Sequence, residues 1–279
     1  MKNYPRILTI QDISCVGQCS LTVALPILSA CGAETCILPS AVLSTHTGGF
    51  SGFTVRDLTD DIPAIAAHWQ KEGILFDGIY TGYLGSIPEI GYVQDIFRTL
   101  RREGAKTFVD PAMADNGRLY GAFDMAYADA MKPLCFGADV VLPNLTEACL
   151  LTDTPYRETY DEAYITELVG KLQAAGAGTI VLTGISYSPD RTGVVVAGDG
   201  RTQYYSHHRI DRTCHGTGDV FASVYIGAAL QGVPAFEAAK LAADFTVSSI
   251  EATVAYPEHW YGVRFETQLP ALIQALQTL

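Results

Sequence analysis

Apolar residues recur along the chain with two periods that alternate, and each change of period marks an element. Arg6-Ile-Leu-Thr-Ile10 is a short apolar run that predicts a buried strand, followed by a polar loop from Gln11 to Ser20. Val23, Ala24, Ile27, Leu28 and Cys31 then recur at helical spacing; Pro26 is expected to break or kink that helix and Gly32 to end it. Thr35 to Leu38 reads as a second strand. A helix begun by Asp60 or Asp61, with Pro63 in its first turn, turns Ile62, Ile65, Ala66 and Trp69 inward and closes at Gly73. Ser86 and Glu89 form a predicted capping box ahead of Ile90, Val93, Phe97 and Leu100. Further strands are predicted at 76–81, 106–110, 138–142 and 179–183. Helices are predicted after Pro143-Asn144, around Tyr164, Leu168 and Leu172, after Gly216, from Pro234, and near 265–278. Runs at 192–197 and 202–207, separated by Gly198-Asp199-Gly200, predict a hairpin.

Strand and helix alternation of this kind predicts an α/β fold: a mostly parallel central sheet with helices on both faces. Residues 39–56 depart from it. Ser44-Thr45-His46-Thr47-Gly48-Gly49 is polar and glycine-rich, which suits a loop or small β flap. No repeat, low-complexity tract or linker interrupts the pattern, so residues 1–279 are expected to form one domain.

With 48% apolar and 17% charged residues, the composition supports a sizeable core and excludes a disordered chain. The formal charge of −12, without a basic cluster, argues against nucleic acid and anionic membrane as partners. A protein this acidic must meet an anion with local devices, such as helix N-termini or a bound cation. Seven cysteines without a Cys-x-x-Cys fit reduced thiols. No signal-peptide pattern or spanning apolar run is present, and the expected location is the cytoplasm.

Polar residues recur at strand ends: Gln11-Asp12, Gly82-Tyr83, Asp110, Asn144 with Glu147, and Thr183. In an open parallel sheet these ends face one crevice, where ligands bind. The stretch Thr213-Cys-His-Gly-Thr-Gly-Asp219 adds a glycine turn that opens a helix, leaving backbone N–H groups free to meet an anion. Asp219 in the first helical turn is either a dipole partner or a general base beside a bound phosphate. Asn144 and Glu147 have the spacing of a capping box, a structural device. Asp110-Pro111 reads as a strand-ending turn, and Thr183 as a turn threonine.

Gly216-Thr217-Gly218-Asp219 resembles the signature of the ribokinase superfamily, and Asn144-Leu-Thr-Glu147 resembles its Asn-x-x-Glu motif. Ile10-Gln11, Ser44-Thr45-His46-Thr47-Gly48, Thr81-Gly82-Tyr83-Leu84-Gly85 and Asp110-Pro111 resemble the pyridoxal kinase branch, in order, from about residue 7 to about 250. Two positions depart from that branch: Asp12 replaces the usual serine, and Thr45 stands where Asn is usual before His46-Thr47.

The resemblance implies a ribokinase-like fold and ATP-dependent phosphorylation of the 5′-hydroxyl of pyridoxal, pyridoxamine or pyridoxine. On that basis Asp219 is the expected base, and the amides of Gly216, Thr217 and Gly218 stabilise the transferring phosphoryl group. Glu147 and Asp110 would serve Mg2+, with Asn144 and Thr183 near the nucleotide and the 192–207 hairpin shielding adenine. A monovalent cation such as K+ is a further expectation, as is a homodimer. Asp12, Thr47 and Gly48 would bind the polar edge of the substrate ring, and Tyr83 would pack on the ring or bond its phenolic oxygen. His46 is expected to stabilise its loop. Cys214, beside a helix N-terminus and His215, is either a packed thiol or one with lowered pKa that captures the aldehyde of pyridoxal. The alternatives are a hydroxymethylpyrimidine kinase of thiamin synthesis, or a non-catalytic vitamer-binding or sensor protein.

Overall fold

The computed structural model describes residues 4–278. Strand β1 (Arg6–Ser14) leads to helix α1 (Leu21–Ala30) and strand β2 (Glu34–Leu43); β3 (Val55–Asp57) then returns antiparallel along β2, so residues 44–54 stand out as the flap. After α2 (Ile62–Lys71) come β4 (Phe76–Thr81), α3 (Ile87–Thr99) and β5 (Arg101–Val109). A two-stranded ribbon, β6 (Ala114–Asp115) and β7 (Arg118–Leu119), precedes α4 (Met125–Phe136), β8 (Val140–Val141), α5 (Leu145–Leu151) and α6 (Glu162–Ala174). The chain continues with β9 (Thr179–Ser188), β10 (Arg191–Gly198), β11 (Arg201–His208), α7 (Thr217–Leu230), α8 (Ala235–Val254) and α9 (Leu269–Thr278).

The nine-stranded sheet has the order β11-β10-β9-β8-β5-β4-β1-β2-β3. Its six neighbouring strands from β9 to β2 are parallel; at the edges β3 pairs antiparallel with β2, β10 with β9, and β11 with β10. Side chains alternate across it: Leu8 and Ile10 pack with α2 to α6, while Ile7 on the opposite face packs with α1, α7, α8 and α9. Both faces are therefore covered, as a parallel sheet requires. The α1 crossover lies on one face and the α2 crossover on the other. The connection thus reverses at β1, and the crevice beyond the carboxyl ends of β1 and β4 is the switch point where such sheets hold ligands.

Several elements differ from expectation. β1 runs on through Ser14, so Gln11, Asp12 and Ser14 lie buried in a strand and not in a loop; an irregularity between Gln11 and Ile13 re-aims them. Pro26 does not break α1, because Val23, Ala24, Ile27 and Leu28 are completely buried around it and packing outweighs one lost backbone bond. The Ser86 capping box does not form: Ser86 makes no side-chain cap, and Glu89 instead accepts from the Gly85 amide at 2.7 Å and the Thr59 hydroxyl at 2.6 Å. The strand expected at 138–142 contracts to Val140–Val141. Helix α7 is buried on every side from Val220 to Ala228. The 192–207 hairpin forms, with Asp199 and Gly200 both at positive φ between paired Gly198 and Arg201.

Candidate active site

Gly216 sits in the left-handed region with φ 76° and N-caps α7. A Cβ there would lie 1.8 Å from the Gln18 carbonyl oxygen, so only glycine lets the turn pass the loop ahead of α1. The first backbone bond of the helix runs from Val220 N to Gly216 O at 3.0 Å, which leaves the amides of Thr217, Gly218 and Asp219 without helical acceptors. Gly218 is exposed, with open space where a Cβ would stand, so an anion can reach this backbone. Asp219 lies half-buried in the same turn. Burial, with help from the charges of Asp110 and Asp12, pushes its carboxyl up to about 7, while the Ser20 amide facing it acts in the opposite sense.

Asp110 follows β5 and Glu147 lies in the first turn of α5. Burial raises both carboxyls, and the Glu147 charge raises Asp110 further. Glu147 is held by backbone: Oε1 accepts from Met113 N at 3.0 Å and Ala114 N at 3.4 Å, and Oε2 from Asn144 N at 2.9 Å. Asn144 completes the capping box by accepting from Glu147 N at 3.0 Å and donates its Nδ2 to the Ala114 carbonyl at 2.7 Å. The structural role of this pair is thus realised in full. Oε1 of Glu147 has both lone pairs engaged by amides, Oε2 keeps one free, and the orientation of the carboxylate is set by backbone. Tyr80 is fully buried, and burial, with the nearby charges of Asp110 and Asp219, opposes its ionisation against a side-chain contact with Gln11.

Across the crevice, Asp12 is only 5% exposed, so its charge must be met within the site. Burial raises its carboxyl against the hydroxyls of Ser20 and Ser14, the latter donating at 3.0 Å. Tyr83 packs on Phe123 with centroids 5.3 Å apart; burial and the charges of Asp12 and Glu89 oppose its ionisation. Thr47 is exposed on the flap. Gly48 donates its amide to His46 Nδ1 at 3.1 Å, and a Cβ on Gly48 would meet the His215 ring at 2.6 Å. The flap therefore rests on the anion turn. No ion pair among the described residues includes Asp12, Glu89, Asp110, Glu147 or Asp219. Counter-charge must come from what binds.

A cleft of about 360 Å³ lies to one side of these acids, lined by Asn144, Thr183, Tyr160, His207, Ile210 and Val247 among others. Its floor is where β9 meets the start of α5: Thr183 donates its amide to the Pro143 carbonyl at 2.9 Å. This cleft is thus on the hairpin side, and Asp219 is not among its lining residues. Asn144 and Thr183 form the border between the two regions.

The structure brings Asp12, Tyr83, Asp110, Glu147 and Asp219 within each other's fields, sets Gly48 against the anion turn, and pairs Asn144 with Thr183. Cys214 is the exception. It is half-buried against the α7–α8 core, and burial pushes its thiol up, only partly opposed by Arg212, a direction that favours the packed thiol over the lowered pKa of the capture reading. Sequence reasoning missed Ser20, Tyr80, Cys19 and the segment 259–261. Burial raises the Cys19 thiol, and the charges of Asp219 and Asp12 add to it. Gly17, Gly216 and Gly262, each pressed against another loop, were the available signal for these close approaches. Among the described residues no group of three or more His, Cys, Asp or Glu side chains is arranged to hold a metal ion.

The family model described as phosphomethylpyrimidine kinase matches residues 29–263. A solved structure from Bacteroides thetaiotaomicron, given the provisional name phosphomethylpyrimidine kinase and crystallised with pyridoxal, is 37% identical, with 97% of this chain and 96% of that one covered at a TM-score of 0.92. The crystal structure of pyridoxal kinase from Lactobacillus plantarum is 32% identical, covers 99% of both chains and has a TM-score of 0.92. Among curated relatives, a pyridoxine/pyridoxal/pyridoxamine kinase of Bordetella bronchiseptica is 28% identical over 262 residues, 88% of this chain and 89% of its own. With the sheet order, the anion turn and a match over most of its length, the chain belongs to the phosphomethylpyrimidine kinase family of the ribokinase-like superfamily.

Proposed function

We propose that the protein is an ATP-dependent kinase of B6 vitamers, transferring the γ-phosphoryl group to the 5′-hydroxyl of pyridoxal, pyridoxamine or pyridoxine. The observation that carries this reading is Asp219: a carboxylate with its pKa pushed up to about 7, in the first turn of α7, beside an approachable glycine turn and across from buried Asp12. A general base works best with a pKa near the working pH. Asp219 takes the hydroxyl proton as the substrate oxygen bonds to phosphorus, and ADP leaves. The amides of Gly216, Thr217 and Gly218 meet the charge on the transferring group. Asp12, Thr47, Gly48 and Tyr83 hold the ring, and Cys214 borders this side as a packed thiol. Asn144 and Thr183 lie under the nucleotide phosphates, with the β10–β11 hairpin beside the base.

Mg2+ fits the residues present: Asp110 and Glu147 are hard oxygen donors whose buried charges disfavour one another unless a cation lies near, and one or two carboxylates plus phosphates are what Mg2+ takes. When bound it would neutralise phosphate charge. The reading extends to a single domain over residues 1–279, a homodimer and a cytoplasmic location. No helix among the described residues is long and apolar enough to cross a membrane.

The description of the matching family, phosphomethylpyrimidine kinase, keeps a second reading in play, phosphorylation of a pyrimidine such as hydroxymethylpyrimidine. ADP release with ATP and Mg2+ against pyridoxal, pyridoxamine, pyridoxine, hydroxymethylpyrimidine and ribose separates the two. Turnover confined to the pyrimidine would reject the vitamer reading. Tight vitamer binding without turnover would point to a sensor.

A further inference from the structure

His46 is 5% exposed, so both ring nitrogens must find partners in protein. Nε2 lies 2.7 Å from the Tyr261 carbonyl oxygen, which can only accept; Nε2 therefore carries a proton. Nδ1 receives the Gly48 amide at 3.1 Å and therefore holds a lone pair. The two bonds together define a neutral imidazole in the Nε2–H form. Adding a proton at Nδ1 would set N–H against N–H and cost the Gly48 bond.

Four segments converge on this ring. The loop ahead of α1 comes so close that a Cβ on Gly17 would lie 2.1 Å from His46 Cδ2, and its Val16 carbonyl accepts from the His46 amide at 3.3 Å. The flap contributes Gly48 and Phe50, whose ring lies 5.1 Å from that of His46. The anion turn contributes His215, ring centroids 5.0 Å apart, and residues 259–261 contribute the Tyr261 carbonyl. The titratable groups facing His46 are Asp12 from β1 and His215 from the anion turn, each of which would feel a charge placed on its ring. Cys19, from the loop ahead of α1, lies in the fields of Asp12 and Asp219.

We propose that His46 is a positioning residue that seats the flap on the anion turn through its neutral Nε2–H form, so that the vitamer site loosens on acidification. This rests on the kinase reading, in which Thr47 and Gly48 hold the substrate ring.

Two substitutions split the roles of the nitrogens. His46→Asn keeps an acceptor at the Nδ1 position and loses the reach to Tyr261. His46→Gln keeps a donor at the Nε2 position and loses the acceptor for Gly48. The vitamer KM should rise roughly five- to ten-fold in His46→Gln, the weight of one hydrogen bond, and less in His46→Asn. Wild-type KM should climb toward the His46→Gln value on acidification, while neither variant shows that climb. Nitrogen-15 spectra of the imidazoles, with His46→Gln identifying the resonance among the six histidines, should show a neutral Nε2–H ring. An Nδ1–H ring, an equal KM rise in both variants, or an acid-side climb that persists in both would overturn the proposal. Absence of wild-type turnover would instead overturn the kinase reading, and the spectra would still decide the tautomer.

Discussion

Asn144 and Glu147 each accept from the other's backbone amide, at 3.0 and 2.9 Å, so the residue proposed to serve the metal is first a helix cap. Structure and chemistry share one carboxylate here. Its two oxygens are aimed by three amides before any ligand arrives.

Glu147→Ala should therefore do more than weaken Mg2+ binding. It leaves the amides of Met113, Ala114 and Asn144 without their acceptor, at a cost of roughly 2–4 kcal/mol of stability. Glu147→Gln retains one carbonyl acceptor and should cost less, while still raising the Mg2+ concentration needed for half-maximal rate. Urea denaturation and Mg2+ titration of both variants test this; an Ala variant as stable as wild type would show that the cap contributes nothing.

Asp219→Asn should lower kcat by roughly 10²- to 10⁴-fold, the range for a lost general base. The fold should gain. A carboxyl raised from 3.8 to about 7 in the native state is destabilising once both states are ionised. The Asn variant should thus be more stable above about pH 7, with the advantage shrinking as pH falls toward 4. Melting temperatures across that range would reveal the opposite trend if Asp219 were stabilised by its surroundings.

The same carboxyl sets the acid limb of the rate. Asp219 must be ionised to accept a proton, so kcat should fall about tenfold per pH unit below its pKa. That limb should begin near pH 7 in the free enzyme's kcat/KM and be absent from the residual activity of Asp219→Asn. A profile flat down to pH 5 would remove Asp219 as the base.

Gly216→Ala combines a φ of 76° with a Cβ 1.8 Å from the Gln18 carbonyl. The backbone at the turn must move, which should cost roughly 1–3 kcal/mol and misplace the anion-binding amides. The expected result is a large fall in kcat with a raised KM for ATP. Gly218→Ala, where a Cβ meets open space, should spare the fold and obstruct only the nucleotide side. Equal stability losses in the two variants would contradict this division.

What was legible in the sequence follows from what periodicity encodes. Parallel strands place their carboxyl ends at one edge, so Asp12, Tyr83, Asp110, Asn144 and Thr183 were gathered by topology before any distance was known. Periodicity also held α4, unpredicted although Tyr127, Ala128, Met131, Leu134 and Cys135 have helical spacing, and Asn116-Gly117 marked the unpredicted β6–β7 turn. Other features have no local trace. Ser20 takes a φ of 54°, and Arg212 donates to the carbonyls of Thr253, Val254, Tyr256 and His259 across the end of α8. Such contacts follow from three-dimensional proximity, to which side-chain spacing is blind.

The bond from His46 to Tyr261 spans 215 residues, and that from Gln18 to Glu266 spans 248. Loops of that length close late, after the contacts between neighbouring strands and helices have formed. During synthesis the central strands can pair while the flap still lacks its anchor. A nascent chain halted before residue 259 should therefore possess much of its sheet but not a seated flap, making competence for binding the last property the protein acquires.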